Sequence, residues 1–182
     1  MSEIKVASRY AKSLIDLGLE KSALEVIKAD METFAATVKA SSELKSVLAN
    51  PIISLAKKSE LLKALFAGKV SDTTAKFFDM MIEKNRSELL YATANEFQTQ
   101  YHALKNIVTA KVVSAVPLTD ALKSEIEAKV KAVTGGEVIL STKVDEKLIG
   151  GFVLTVGDRQ FDASIATKLN RLKKDFSRRA VG

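Results

Sequence analysis

Few residues of this 182-residue chain have the type and spacing to do chemistry. The one histidine, His102, stands beside Tyr101 with no second His and no Cys to share a metal ion. Asp145-Glu146 are adjacent carboxylates at the end of an extended run. Acid–base catalysis needs two groups converging on one substrate, and neighbours in a strand point to opposite faces. Gly150-Gly151 is followed by neither Gly-Lys-Ser/Thr nor a G-x-G-x-x-G repeat, so no phosphate loop is encoded. The pair reads instead as a tight turn or bulge where backbones pass closely. Gly157-Asp158 reads as a second turn, and Asp162 as a helix cap. No G-x-S-x-G elbow is present, and the absence of cysteine removes disulfides, Cys–zinc sites and thiol catalysis. The expectation is a non-enzyme with no catalytic, cofactor-binding or metal residues.

The elements around these residues fall into two groups. Over the first hundred residues apolar positions recur at three and four, the helical period. Helix one carries Ala7, Tyr10, Ala11, Leu14, Leu17 and Gly18; helix two carries Leu24, Ile27, Met31, Phe34 and Val38. Ser41 or Ser42 caps a short third helix with Leu44, Val47 and Leu48, and Asn50-Pro51 ends it. Ser54 opens a fourth with Leu55, Leu61, Leu62, Leu65 and Phe66, closed by Gly68. Ser71 caps a fifth running to about Lys84, where Asn85 is a left-handed stop; Ser87 caps a long sixth with Leu90, Ala94, Phe97, Tyr101 and Leu104. Near Asn106 the period drops to two. Val108, Ala110 and Val112 alternate with Thr109 and Lys111, a β-branched strand pattern. Thr119 then caps a helix with Leu122, Ile126, Val130 and Val133, and Gly135-Gly136 turns the chain into the strand Glu137–Val144. A hairpin follows, with Phe152, Leu154 and Val156 on one face and a short return through Gln160-Phe161. The last helix carries Ile165, Leu169, Leu172 and Phe176 on one face. The fold class is therefore α+β. A six-helix bundle over residues 1–105 precedes a small α/β domain over 106–182, built as β-α-β-β-α with an optional short return strand.

Charge adds a constraint. The chain has 28 Lys+Arg, 22 Asp+Glu and a net charge of +6. Residues 1–105 hold 15 basic against 13 acidic residues and residues 106–182 hold 13 against 9. Lys168, Arg171, Lys173, Lys174, Arg178 and Arg179 concentrate the excess on the last helix. That helix face is either solvated or a docking surface for an acidic partner. A basic nucleic-acid-binding protein is the alternative, although aromatic stacking platforms are not interleaved with the patch. No apolar run reaches the roughly 18–20 residues that span a bilayer, and the start lacks an apolar signal core. A cytosolic location without membrane insertion is expected.

Helix five is broader than a single apolar stripe requires. Six of the eight residues from Ala75 to Ile82 are apolar, whereas a surface helix needs a stripe about 100° wide. Phe78, Met81 and Ile82 fit a core face and leave Phe77 and Met80 on a flank. Helix one has a second line too, through Val6, Tyr10, Ser13 and Leu17. Either both helices are wrapped by the bundle, or these six residues line a groove for another protein's amphipathic helix.

Four stretches, in order, resemble the delta subunit of bacterial ATP synthase and its mitochondrial counterpart, the oligomycin-sensitivity-conferring protein. They are ASRYAKSLIDLG at 7–18, NPIISLAKKSELLKALF at 50–66, IEKNR at 82–86, and the polar pair, Gly-Gly, strand, Gly-Asp and basic helix from Val144 to Phe176. The resemblance implies a non-catalytic peripheral-stalk subunit of a rotary proton-translocating ATP synthase, one copy per complex. It would be held peripherally on the cytoplasmic face of the bacterial plasma (inner) membrane and bind neither cofactor nor nucleic acid. It implies that the helical part takes the N-terminal helix of an alpha subunit and the α/β part the C-terminal helices of the b subunits. The groove residues Val6, Tyr10, Ser13, Leu17, Phe77 and Met80 would then serve the first partner. Gly150, Gly151, Gly157 and Asp158 would be structural turns.

Overall fold

The computed structural model describes residues 3–145, 148–157 and 159–179, with side chains in the last helix described at 165–171 and 173. The described residues form eight α-helices and one four-stranded sheet. They divide into two compact units, Met1–His102 and Ala103–Gly182.

The first unit is helical. Helix α1 (Glu3–Glu20) buries Ala7, Ala11, Leu14, Ile15 and Gly18. Gly18 lets the chain reverse tightly, because a Cβ there would sit 3.2 Å from the Leu24 Cα. Helix α2 (Leu24–Ala40) buries the expected line of Leu24, Ile27, Met31, Phe34 and Val38 and packs on both α1 and α5 (Asp72–Glu83). Helices α3 (Ser42–Ala49) and α4 (Leu55–Phe66) follow, and α6 (Leu90–Leu104) closes the unit. Phe34 lies at the centre, its ring 5.4 Å from Phe66 and 4.7 Å from Phe78.

Capping follows local sequence. The side chains of Ser41, Ser54, Ser71 and Thr119 accept hydrogen bonds from the backbone N–H three residues on, satisfying donors that a helix start leaves orphaned. Asn85 adopts φ 56° as expected of a left-handed stop. Two expectations need correction. Ser87 does not cap α6; it opens a 3-10 turn, Ser87–Leu89, and its buried hydroxyl donates to the Leu48 carbonyl at 2.7 Å. On α4, Leu55 and Leu65 are exposed, while Lys58 is buried. The Lys58 Nζ donates to the Leu48 carbonyl at 3.0 Å and to Ser87 Oγ at 2.9 Å.

In the second unit β1 (Ile107–Ser114) is central. It pairs in parallel with β2 (Glu137–Val144) across α7 (Asp120–Thr134) and antiparallel with β3 (Phe152–Val156). Strand β4 (Arg159–Asp162) pairs with β3, giving the order β2-β1-β3-β4. Ala110, Val112, Ile126 and Val130 form the buried core, with Leu140, Phe152 and Leu154 packed against it. Side chains two apart share a strand face, so α7 covers the face that Ala110 and Val112 present. Helix α8 (Ile165–Arg179) leaves the sheet after β4. Because each unit buries its own apolar set, a fragment of residues 1–105 is expected to fold alone, with a strong helical circular-dichroism signal and a cooperative thermal transition. A gradual, non-cooperative melt would show that the helical unit leans on the second one.

Candidate partner-docking surfaces

On the first unit, the structure brings Tyr10 of α1 against Phe77 of α5. Their ring centroids are 6.5 Å apart at 71°, an edge-to-face contact of the kind aromatic quadrupoles favour. Val6, Tyr10, Leu17 and Met80 are half-buried, and Ser13 is exposed. Phe77 is not on an open flank as expected from its position: only 7% of it remains accessible. Its ring is taken up between Tyr10 and Phe78, 6.5 Å away. The Ser13 hydroxyl is used locally, donating to the Arg9 carbonyl at 3.0 Å. The candidate surface between α1 and α5 is therefore a seam in which Tyr10 packs against Phe77.

Helix α5 is fixed by a buried carboxyl group. One oxygen of Asp30, Oδ2, accepts from the Ser71 N–H at 2.9 Å, the Ser71 hydroxyl at 2.7 Å and the Thr74 hydroxyl at 2.7 Å. Asp30 is buried and Thr74 has no accessible surface. The far side of α5 is tied to α4 through Asp79, which accepts from Ser59 at 2.7 Å and pairs with Lys63 at 3.1 Å. Burial alone would raise the Asp79 carboxyl, but the hydrogen bonds from Ser59 and Lys63 and the Lys63 charge hold it below its ordinary value. Helix α1 is tied to α6 by Gln100, whose Nε2 donates to the Ser8 carbonyl at 3.0 Å and to Ser8 Oγ at 2.9 Å.

On the second unit, a cleft of about 570 Å³ opens between α7 and the β3–β4 half of the sheet. Its walls are largely apolar: Val130 and Val133 on one side, Phe152, Leu154, Val156 and Phe161 on the other, with Lys129 and Arg159 also lining it. Phe161 is 52% exposed.

The glycine pair stands where α8 is rooted. Gly151 has φ +81°, and a Cβ there would lie 2.5 Å from the Ala163 carbonyl oxygen. The Gly150 carbonyl accepts the Ile165 N–H at 3.0 Å. Gly157 has φ +56°, in keeping with a turn, while Asp158 lies outside the described residues. Asp162 is not the cap of α8. It acts one step earlier: Oδ1 accepts from the Ser164 N–H at 2.8 Å and Oδ2 from the Thr167 hydroxyl at 2.8 Å, while Ser164 Oγ accepts from the Thr167 N–H. Hydrogen bonds from the Ser164 side chain and backbone, then from Thr167, hold the Asp162 carboxyl below its ordinary value.

These two surfaces sit on a chain whose residues 6–176 match the family model described as ATP synthase delta (OSCP) subunit. The chain belongs to that family. Among delta-subunit relatives, the ATP synthase subunit delta of Cytophaga hutchinsonii is 37% identical over 181 residues, covering 100% of this chain and 99% of that one. That of Desulfitobacterium hafniense strain DCB-2 is 33% identical over 172 residues, covering 94% and 96%. A chain in the cryo-EM structure of the Toxoplasma gondii mitochondrial ATP synthase hexamer shares the fold, with a TM-score of 0.72 and 24% identity over 93% of this chain and 96% of that chain.

Within this delta-family fold no group of three or more His, Cys, Asp or Glu among the described residues could hold a metal ion. His102 is half-buried, in ring contact with Tyr101. No helix of the described residues is long and apolar enough to cross a membrane. Reading the sequence missed Asp30, Lys58 and Gln100. Each looks like an ordinary polar position until the partner, 41, 29 or 92 residues away, is in place.

Proposed function

We propose that this protein ties the catalytic head of a rotary F-type ATP synthase to its peripheral stalk, as a non-catalytic subunit that resists rotor torque. The observation that carries the reading is the family match across both units, residues 6–176. The helical unit takes the alpha subunit's N-terminal helix on the α1–α5 seam, and the second unit takes the C-terminal helices of the b subunits. One copy serves each complex, held peripherally at the cytoplasmic face of the plasma (inner) membrane, and proton flow supplies the torque. The mechanism is mechanical: two partners are gripped by two separately cored units in one chain. The nucleic-acid alternative gains nothing from the delta-family match.

The seam makes a specific claim. Tyr10 is half-buried and covers Phe77, so truncating it removes an aromatic anchor without opening the centre of the core. Tyr10→Ala is expected to weaken binding of a synthetic alpha-subunit N-terminal peptide by about 2 kcal/mol, the hot-spot scale, or roughly 30-fold. Thermal melting of the same variant should show a smaller loss than Phe78→Ala, whose buried ring leaves a cavity costing about 3–5 kcal/mol. If peptide affinity per folded molecule is unchanged in Tyr10→Ala, the alpha-subunit helix docks elsewhere.

A further inference from the structure

The sheet of the second unit is wider than one helix can cover. Neighbouring strands lie about 4.8 Å apart, and a helix with its side chains is about 10–12 Å across, so α7 shelters roughly two strands. Its buried Ile126 and Val130 pack with Ala110 and Val112 of β1, and the same face of β3 and β4 is left to line the open cleft. In the antiparallel register Leu154 stands opposite Phe161 and Val156 opposite Arg159. Residues directly opposite share a face, so these four side chains lie together on one wall, with Val133 of α7 on the other. Among the described residues α8 contributes nothing to the lining, and the charged side chains that line the cleft are Lys129 and Arg159. Lys129 is paired with Glu125 at 2.6 Å. Arg159 makes no ion pair with another described residue, so it is the cation left to a ligand.

We propose that this cleft binds a single-chain anionic amphiphile, a medium- or long-chain alkyl carboxylate. The chain lies along Leu154, Val156, Phe161 and Val133, and the carboxylate sits on the Arg159 guanidinium. The volume of about 570 Å³ falls within the roughly 300–1,000 Å³ usual for small-molecule sites, which likewise join apolar walls to a few polar groups. A guanidinium matches a carboxylate in shape as well as charge, because its planar fork donates two parallel hydrogen bonds. A partner helix fits the cleft less well. At 10–12 Å across and 5.4 Å per turn, a single turn takes on the order of 400–600 Å³, so about one turn would fill it. A flat membrane surface fits less well too: it can meet Phe161, which is 52% exposed, but not the half-buried Leu154 behind it. The site goes beyond the stalk reading and does not depend on it.

The test titrates the full-length protein with hexanoate, octanoate, decanoate and neutral decanol, followed by calorimetry and by amide NMR shifts. Affinity is expected to rise about three- to fourfold per added methylene, the worth of one buried CH₂. Decanoate should bind about tenfold tighter than decanol, since a charge-assisted hydrogen bond adds to the same chain burial. Shifts should gather at Val133, Val156 and Phe161 and spare the helical unit. Arg159→Gln should remove the preference for decanoate over decanol. Lys111→Gln should keep it, because Lys111 is exposed between Ala110 and Val112 and so points away from the cleft. Phe161→Ala, at an exposed position, should weaken decanoate and decanol alike by about fivefold while the circular-dichroism spectrum is kept. No binding of decanoate at millimolar concentration, no dependence on chain length, equal losses in Arg159→Gln and Lys111→Gln, or shifts that gather outside the cleft would each overturn the proposal. So would Phe161-dependent sedimentation with phosphatidylglycerol vesicles that decanoate does not displace, which would make this wall a membrane contact. A synthetic amphipathic helix that shifts these amides where decanoate does not would assign the cleft to a protein partner instead.

Discussion

Gly151→Ala is expected to destabilise the second unit by about 2–5 kcal/mol, and Gly150→Ala by less than about 1.5 kcal/mol. The two neighbours differ in what surrounds them. Gly151 has φ +81°, a region where a Cβ costs roughly 1–2 kcal/mol by itself. The added carbon would also lie 2.5 Å from the Ala163 carbonyl oxygen and 2.9 Å from the Ser164 Cα. Those are backbone atoms, held by the Ala163 N–H bond to the Phe152 carbonyl at 3.0 Å, so the root of α8 must shift. At Gly150 the obstacle is the Cδ1 of Ile165 at 2.5 Å, the far end of a flexible side chain that can turn aside. Amide exchange of the β1 and β3 N–H groups measures the outcome without an intrinsic tryptophan, which the chain lacks. Protection lost in Gly150→Ala as much as in Gly151→Ala would mean that the close approach lies at the first glycine.

The glycine pair also shows how much of the site the sequence carries. Its composition says that backbones pass closely there, but not which segment passes. That segment is the link from β4 into α8, twelve and more residues downstream. Where the cause is local, the sequence is sufficient. Ser41, Ser54, Ser71 and Thr119 cap their helices because a hydroxyl reaches an N–H three residues on, whatever surrounds it. Ser87 carries the same local signal, yet its hydroxyl is engaged by Leu48 and Lys58. At this helix start a tertiary partner outcompetes the local one. Apolar width is ambiguous in the same way. Helix α5 has more apolar surface than one stripe, but only the structure shows that Tyr10 closes over Phe77. Composition cannot say whether a flank is covered by its own chain or by another.

Packing surfaces of the two units differ in how finished they are. The helical unit buries Phe34, Phe97 and Met81 to 1% exposure or less, although Ile4 and Ile52 stay 65% and 90% exposed. The second unit leaves Val133 at 73%, Phe161 at 52% and Leu169 at 55% exposed, around the cleft and along α8. Apolar surface left in water forfeits roughly 25 cal/mol per Å², so a small unit that leaves this much uncovered gains stability when a partner covers it. That exposure is in keeping with the partner-binding role proposed for the second unit.

The other large effect is expected from Asp30→Ala, a loss of about 2–4 kcal/mol from the helical unit. Asp30 sits on the buried line of α2, where a carboxyl group is costly unless it is hydrogen-bonded. Its Oδ2 accepts from three donors at the start of α5. Removing it orphans the Ser71 N–H and takes away the acceptor of the Thr74 hydroxyl, which itself accepts from Ser71 Oγ at 3.1 Å. The Ser71 hydroxyl, which accepts from the Thr74 N–H at 3.4 Å, also loses the acceptor that orients it. The cap of α5 therefore loosens, and with it the placement of Phe77 against Tyr10. Asp72→Ala is the matched control one residue past the cap. Its ion pair with Lys76 is 2.6 Å long, but the two side chains are 82% and 76% exposed, and exposed i,i+4 pairs contribute only about 0.3–0.5 kcal/mol. Thermal and urea unfolding followed by circular dichroism at 222 nm, the usual helical band, compares the two. A substantial drop for Asp30→Ala beside a near-neutral Asp72→Ala is the expected pair of results. Equal small losses would mean that the Asp30 cluster is dispensable and that α5 is held by its apolar face alone.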